Sequence, residues 1–210
     1  MKTSASNKQE QKLILASTSK YRRAILETLN ITFECIPANI DESPFENETG
    51  IALAERLSIE KSRAISALNP YALVIGSDQV AELYNPDGSI TKFGKSLTVE
   101  RAIAQLKSFS GKTVHFHTGL AITQRSTNEQ FSSVDTVTVK FRKLTDEQIE
   151  RYVEVEMPLD CAGSFKCEGL GIRLFESIDS SDPNSLVGLP LIKTIEGLLT
   201  FDYDPLFHQV

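Results

Sequence analysis

An α/β fold built on a mixed β-sheet is what this sequence predicts. Three observations carry it: short apolar runs ending in small polar residues, stretches of helical spacing between them, and one segment alternating with a period of two. Leu13 to Ser17, LILAS, is the first apolar run and reads as a buried strand closing in a turn. From Ser19 to Leu29, Tyr21, Ile25 and Leu29 fall at helical spacing, and Asn30 is a C-terminal stop. A second amphipathic helix covers about Thr49 to Leu68, with Ala54, Leu57, Ala64, Ile65 and Leu68 on one face. Tyr71 to Ile75 reads as a buried strand running into Gly76-Ser77-Asp78-Gln79, and Asn85-Pro86-Asp87-Gly88 as a turn. Thr98 caps a helix through about Phe109, closed by Gly111.

His115 to Thr123 and Phe131 to Leu144 are the next two strands; in the second, Val137, Val139 and Phe141 alternate with Thr136, Thr138 and Lys140. Thr145-Asp146-Glu147-Gln148 is a capping box opening a short helix. A glycine-rich loop, Cys161 to Gly171, precedes a strand near Arg173 to Ile178. Pro190, tolerated in a first helical turn, introduces a last helix rich in Leu and Ile. No internal repeat or long linker divides the chain.

The bulk numbers bound the function. With 210 residues, 40% hydrophobic and 24% charged, the chain can bury a sizeable core, and only the polar start, Met1 to Lys12, is expected to be flexible. No apolar run approaches the roughly 20 residues that span a bilayer, and no secretory signal is recognisable, so a cytoplasmic protein is expected. Three cysteines, Cys35, Cys161 and Cys167, fit neither a disulfide framework nor a zinc knuckle and read as reduced thiols. A net charge of −6 without an obvious basic face opposes binding to a nucleic-acid polymer. A small phosphorylated ligand needs only a few local cations.

Four polar constellations sit where strands and helices end, the usual place for ligands in α/β folds. Ser17 to Arg23 combines backbone amides at a helix start with hydroxyls and two arginines, an anion site or simply a Ser-rich cap. Asp41-Glu42-Ser43, followed by a helix carrying Lys61, suits a hard cation such as Mg²⁺ or is an acidic loop near a helix start. Asp78, read as ending an apolar strand, is a costly place for an unused carboxylate. It suits a metal ligand or a general base for water, or else caps a turn. Lys95, in Phe93-Gly94-Lys95-Ser96, is a candidate phosphate contact. Gly94-Lys95-Ser96 and Gly111-Lys112-Thr113 are not P-loops, because Ser89 and Leu106 stand where the earlier glycine is needed. His115 and His117 share one side of a strand with no further ligand, which favours a structural role, and His208 lies near a terminus expected to be loose.

Taken in order, LILASTSKYRR, DES with the helix to Lys61, GSDQ, GKS, SGK, HTGLA, CAGSFKCEGLG and DPNSLVGLPL resemble the Maf-like family of nucleotide pyrophosphatases. The resemblance runs from about Leu13 to Leu199. It implies a single domain at 13–201, a tail at 202–210, and a long mixed sheet with a central cleft between two lobes, similar to inosine triphosphate pyrophosphatases. It implies cleavage of a nucleoside triphosphate between the α- and β-phosphates with a divalent cation, Mg²⁺ or Mn²⁺. Asp78 would accept a proton from the attacking water and contact the metal. Ser17, Arg22, Lys61 and Lys95 would bind the triphosphate, and Glu42 would help hold the cation. A homodimer is common in relatives.

Branch is implied by Tyr21, Gln79 and Glu168. The branch acting on dTTP and UTP usually carries Arg and Thr at the places of Tyr21 and Gln79, whereas AGSFKCEGLG at 162–171 resembles the 7-methyl-GTP branch. An aromatic face attracts the cationic N7-methylated ring, and Glu168 can accept hydrogen bonds from the guanine edge. Departures are Tyr21 where Trp is frequent, Lys20 and Ser96 where Pro is usual, and a longer turn from Tyr84 to Phe93. Other nucleotides such as dTTP and UTP, and a non-catalytic nucleotide-binding regulator of cell division, remain the alternatives. Pure binding would not require a base in the cleft.

Overall fold

The computed structural model describes residues 11–209. Five α-helices and seven strands are described. They run β1 (Leu13–Leu15), α1 (Lys20–Glu27), β2 (Glu34–Cys35), α2 (Gly50–Ser66), β3 (Leu73–Tyr84), β4 (Ile90–Phe93), α3 (Val99–Phe109), β5 (Thr113–Gln124), β6 (Glu129–Phe141), α4 (Asp146–Glu156), β7 (Phe175–Asp179) and α5 (Leu191–Thr200). They form one seven-stranded sheet in the order β2-β1-β3-β5-β6-β7, with β4 pairing the far half of β3. The sheet is mixed: β1 lies parallel to β2 and β3, and the remaining pairs are antiparallel.

Register on β3 creates the cleft. One edge pairs with β5 continuously from Val74 to Glu82. The other edge pairs with β1 at Leu73–Ile75 and with β4 at Ala81–Tyr84. Between those partners, Gly76 to Val80 face an opening in the sheet.

Alternation then divides the core. On one face, Leu73 and Ile75 join Leu120 and Ile122 in a buried cluster with residues of α1 and α5. Further along the same face, Ala81 and Leu83 join Val114, Phe116, Val137 and Val139 in a second cluster with α3 and α4. The interval between the clusters carries polar residues, Ser77 and Gln79 on β3, Thr118 on β5 and Asp135 on β6. Two apolar lobes thus share three long strands, with a polar band between them.

The opposite face belongs to α2, which crosses β3 and β5 where glycine permits close approach. A Cβ at Gly76 would come 2.1 Å from the Ser58 carbonyl oxygen, and one at Gly119 would come 2.1 Å from that of Ala54. Leu57 and Ala54 then pack with Val80, and Ile65 with Val74.

The caps expected at Thr98 and Thr145 are present, the box at Thr145 and Gln148 is reciprocal, and Ser19 and Thr49 cap α1 and α2. Asn30 and Gly111 hold positive φ of 52° and 70°, as helix stops do.

Several expectations need correction. Asp78 lies in the middle of a twelve-residue strand rather than at its end. Gly76-Ser77 resembles a turn in sequence, but its glycine serves the α2 crossing. Leu68 and Tyr71 are each 78% exposed, because α2 ends at Ser66 and β3 starts at Leu73. Arg173 belongs to a short 3-10 turn over Leu170–Leu174, so β7 begins only at Phe175. The strand β4 had no separate signal in four half-exposed residues. The terminus expected to be loose is packed as far as Gln209: His208 stacks on Tyr203 at 4.0 Å, and Gln209 bridges Ile31. Of the flexible start expected over Met1 to Lys12, residues 1–10 lie outside the described residues, while the Lys12 carbonyl accepts from the Leu73 amide at 2.9 Å and Gln11 donates to the Tyr71 carbonyl at 2.6 Å. Among the described residues no helix is long and apolar enough to cross a membrane.

Candidate functional site

A cavity of about 490 Å³ opens at the interval in the sheet. Its lining comes from the start of α1, the middle of α2 and β3, the segment after β4, and the loops at 160–168 and 186–188.

Lys61 is the centre of its charge arrangement. Its place on the sheet-facing side of α2 leaves it 7% exposed. The ammonium lies 2.6 Å from Asp78 Oδ1 and 2.7 Å from Glu42 Oε1. A buried ammonium is tolerable only with such partners, since desolvation otherwise outweighs any single attraction. Partial burial works to raise the Glu42 carboxyl. The Lys61 hydrogen bond and the charges of Lys61, Lys95 and Arg22 together hold it below the usual range.

Arg22, on the first turn of α1, donates through Nε to the Gly188 carbonyl at 2.8 Å. Burial lowers its pKa, while the charges of Asp78 and Glu42 act in the opposite direction. Ser77 Oγ donates to the same carbonyl at 3.0 Å. Gly188 adopts φ 124°, which a side chain would strain. Lys95 is exposed on the cavity, its backbone bridged to Ala162.

The three residues expected to choose the base also line the cavity. Tyr21 donates its hydroxyl to Asp160 Oδ1 at 3.0 Å. Burial, with Cys161 and Asp160 beside it, pushes the phenol pKa up and keeps it a donor. Gln79 commits its amide nitrogen to Thr118 Oγ1, the Ser185 carbonyl and the Leu186 carbonyl, at 3.0, 2.9 and 3.2 Å. That commitment identifies the amide oxygen as the end able to accept from a ligand. Glu168 is exposed at the rim, next to Cys167. Burial pushes the Cys161 and Cys167 thiols up to about 11 and about 12, so both stay protonated and weakly nucleophilic.

Ser17 is the exception among the expected site residues. It is buried, it is absent from the cavity lining, and its hydroxyl accepts from the Ser19 amide at 3.1 Å. Ser19 occupies the lining instead while its side chain caps the Arg22 amide. Asp160 carries no signal in the sequence, and Ser19 belongs there to the Ser17 to Arg23 constellation without being singled out. His117, by contrast, is buried against Glu82 with Nε2 3.2 Å from Oε2, away from the cavity lining, in the structural role expected of it.

The donor set suits one hard cation. Glu42 and Asp78 each use one oxygen on Lys61, leaving a second oxygen apiece. Mg²⁺ is commonly held by one or two carboxylates together with substrate phosphates and water. Among the described residues no group of three or more His, Cys, Asp or Glu forms a closed metal site. Two carboxylates beside cationic groups match a metal that arrives with a phosphorylated ligand.

Over most of its length the chain is similar to known proteins. A "7-methyl-GTP pyrophosphatase" from Polaromonas sp. is 50% identical over 87% of this chain and 81% of its own length. One of the same name from Pseudoalteromonas atlantica is 48% identical over 94% and 99%. A "Nucleoside triphosphate pyrophosphatase" from Acinetobacter baylyi is 50% identical over 86% and 90%. The solved Ham1 protein of Staphylococcus aureus is a distant likeness at 15% identity and TM-score 0.42, covering 78% of this chain and 93% of that one. The Maf-like protein family profile matches residues 12–201. The chain belongs to the Maf-like protein family.

Proposed function

We propose that the protein is a nucleoside triphosphate pyrophosphatase that hydrolyses 7-methyl-GTP to 7-methyl-GMP and pyrophosphate, removing a modified nucleotide in the cytoplasm. The observation that carries the reading is Lys61 held between Asp78 and Glu42 where the sheet opens.

Water attacks the α-phosphorus, the bond from that phosphorus to the bridging oxygen breaks, and pyrophosphate leaves with the electron pair. Asp78 accepts the proton of the attacking water. Arg22, Lys61 and Lys95 bind the phosphate oxygens and neutralise charge that develops on them, which is most of what a protein contributes to phosphoryl transfer. Ser17 acts one step back, by fixing the backbone at Ser19. Glu42 and Asp78 would hold Mg²⁺ or Mn²⁺, which when bound supplies further charge neutralisation on the triphosphate. For the base, Tyr21 offers a ring face, Glu168 an acceptor for the guanine edge, and Gln79 its amide oxygen. The domain at 13–201 is sufficient for this site, and a homodimer is the assembly proposed.

The test is pyrophosphate release over a panel of nucleotides with Mg²⁺ or Mn²⁺. We expect 7-methyl-GTP to be turned over best, and Asp78→Ala to lower kcat/KM by about 10²- to 10⁴-fold. Turnover of dTTP or UTP well above 7-methyl-GTP would reassign the substrate. No turnover of any triphosphate would leave the non-catalytic nucleotide-binding reading.

A further inference from the structure

Asp160 clamps two side chains from the start of α1. One oxygen accepts the Tyr21 hydroxyl at 3.0 Å, and the other lies 3.0 Å from Lys20 Nζ. Tyr21 and Asp160 both line the cavity, and the clamp joins α1 to a loop 139 residues later in the chain. Its result is that the Lys20 ammonium stands over the Tyr21 ring, 4.9 Å from the centroid. Lys20 and Asp160 side chains are 69% and 49% exposed, so the pair adds little stability. It sets an electrostatic environment instead.

We infer that Lys20 and Asp160 set how strongly this site distinguishes a cationic base from a neutral one, Lys20 against the cation and Asp160 in its favour. The inference rests on the base-stacking role proposed for Tyr21. A cation bound to one face of an aromatic ring draws on the same quadrupole that would attract a second cation to the other face. It also repels that second charge directly, at a separation comparable to the Debye length of about 8 Å in physiological salt and well inside that of a low-salt buffer. A neutral guanine feels neither effect. Asp160 works oppositely: its carboxylate fixes the ring by the phenol and places a negative charge beside it. Lys20 therefore acts as a brake on preference for an N7-methylated base, and Asp160 as a positioning residue that sustains it.

Kinetics decide it through a ratio, kcat/KM for 7-methyl-GTP over kcat/KM for GTP, measured at low salt. Lys20→Ala is expected to raise the ratio about two- to fivefold, the exposed cation–π range. Lys20→Glu should raise it more, and Lys20→Arg should leave it as in the wild type. Asp160→Asn should lower it about threefold, with Asp160→Glu restoring it in part. The rise with Lys20→Ala should shrink as salt is added. An unchanged ratio in both Lys20→Ala and Lys20→Glu would overturn the inference, as would equal changes for the two nucleotides. Calorimetric affinities for 7-methyl-GMP and GMP give the same ratio without turnover. Absence of pyrophosphate release from every nucleotide therefore refutes the proposed function alone, whereas an affinity ratio unmoved by Lys20 refutes this inference. Failure of both monophosphates to bind refutes the base-stacking role of Tyr21 on which this inference rests.

Discussion

Lys61 satisfies two carboxylates at once, 2.6 Å from Asp78 and 2.7 Å from Glu42. A phosphorylated ligand entering there meets a cation already oriented, so reorganisation during reaction is small. Replacing Lys61 with Met should lower kcat/KM by about 10²- to 10³-fold, measured by pyrophosphate release. Ser96 lies at the other extreme of residue roles: its hydroxyl is buried and has no hydrogen-bond partner among the described residues. An unmatched buried hydroxyl costs about 1–3 kcal/mol. Ser96→Ala should therefore stabilise the protein by about 1 kcal/mol in urea denaturation, and a loss of stability would mean that the hydroxyl has a partner in solution. Residue types at the site were readable where chemistry is costly: Asp78 drew notice because a carboxylate beside an apolar strand needs a purpose. Asp160 escaped notice because the partners that give a loop acid its role are distant in sequence, and Ser19 stood out only as one member of the Ser17 to Arg23 cluster.

Among the elements, α2 against β3 and β5 determines where the site residues stand. The crossing depends on Gly76 and Gly119, where a methyl group would strike the α2 backbone at 2.1 Å. Backbone cannot swing aside as a side chain does, so Gly76→Ala and Gly119→Ala should each destabilise by about 3 kcal/mol or more. Gly94 is the control, having nothing within 4 Å of an added Cβ. Gly94→Ala should change the denaturation midpoint within about 0.5 kcal/mol of stability. If all three variants unfold alike, close approach is not what those glycines provide. Helices and long strands were legible because their periods of 3.6 and 2 are set by burial on one side. Strand limits were less so. Gly76-Ser77 punctuates the sequence as a turn would, yet the strand continues, because pairing with β5 and packing under α2 are non-local. For the same reason the short β4 carried no pattern of its own.

For the whole molecule, two apolar lobes share β3, β5 and β6. The polar band between them is bonded to the segment at 181–188, and of its four residues Gln79 lines the cavity. Neither the division nor the interval between β1 and β4 is local in sequence; both arise from register. Buried Glu82 joins the start of α2 to the sheet: it accepts from the Gly50 amide and lies 3.2 Å from His117 Nε2. Burial lowers the His117 pKa, more than the adjacent Glu82 raises it. The unfolded chain therefore binds a proton more readily than the folded one, and stability rises with pH through the interval just below about 6.5. It is retained above that pH and lost below it. His117→Gln should flatten the fall in Tm between about pH 7 and 5.5, and an unaltered slope would place the titrating group elsewhere.

Cleavage at the α-phosphorus is the central claim, and isotope incorporation tests it most directly. Hydrolysis of 7-methyl-GTP in ¹⁸O-labelled water, followed by mass spectrometry, should place one heavy oxygen in 7-methyl-GMP and none in pyrophosphate, with product formation collapsing in Asp78→Asn. Label in pyrophosphate, release of orthophosphate as the primary product, or undiminished turnover by Asp78→Asn would contradict the account.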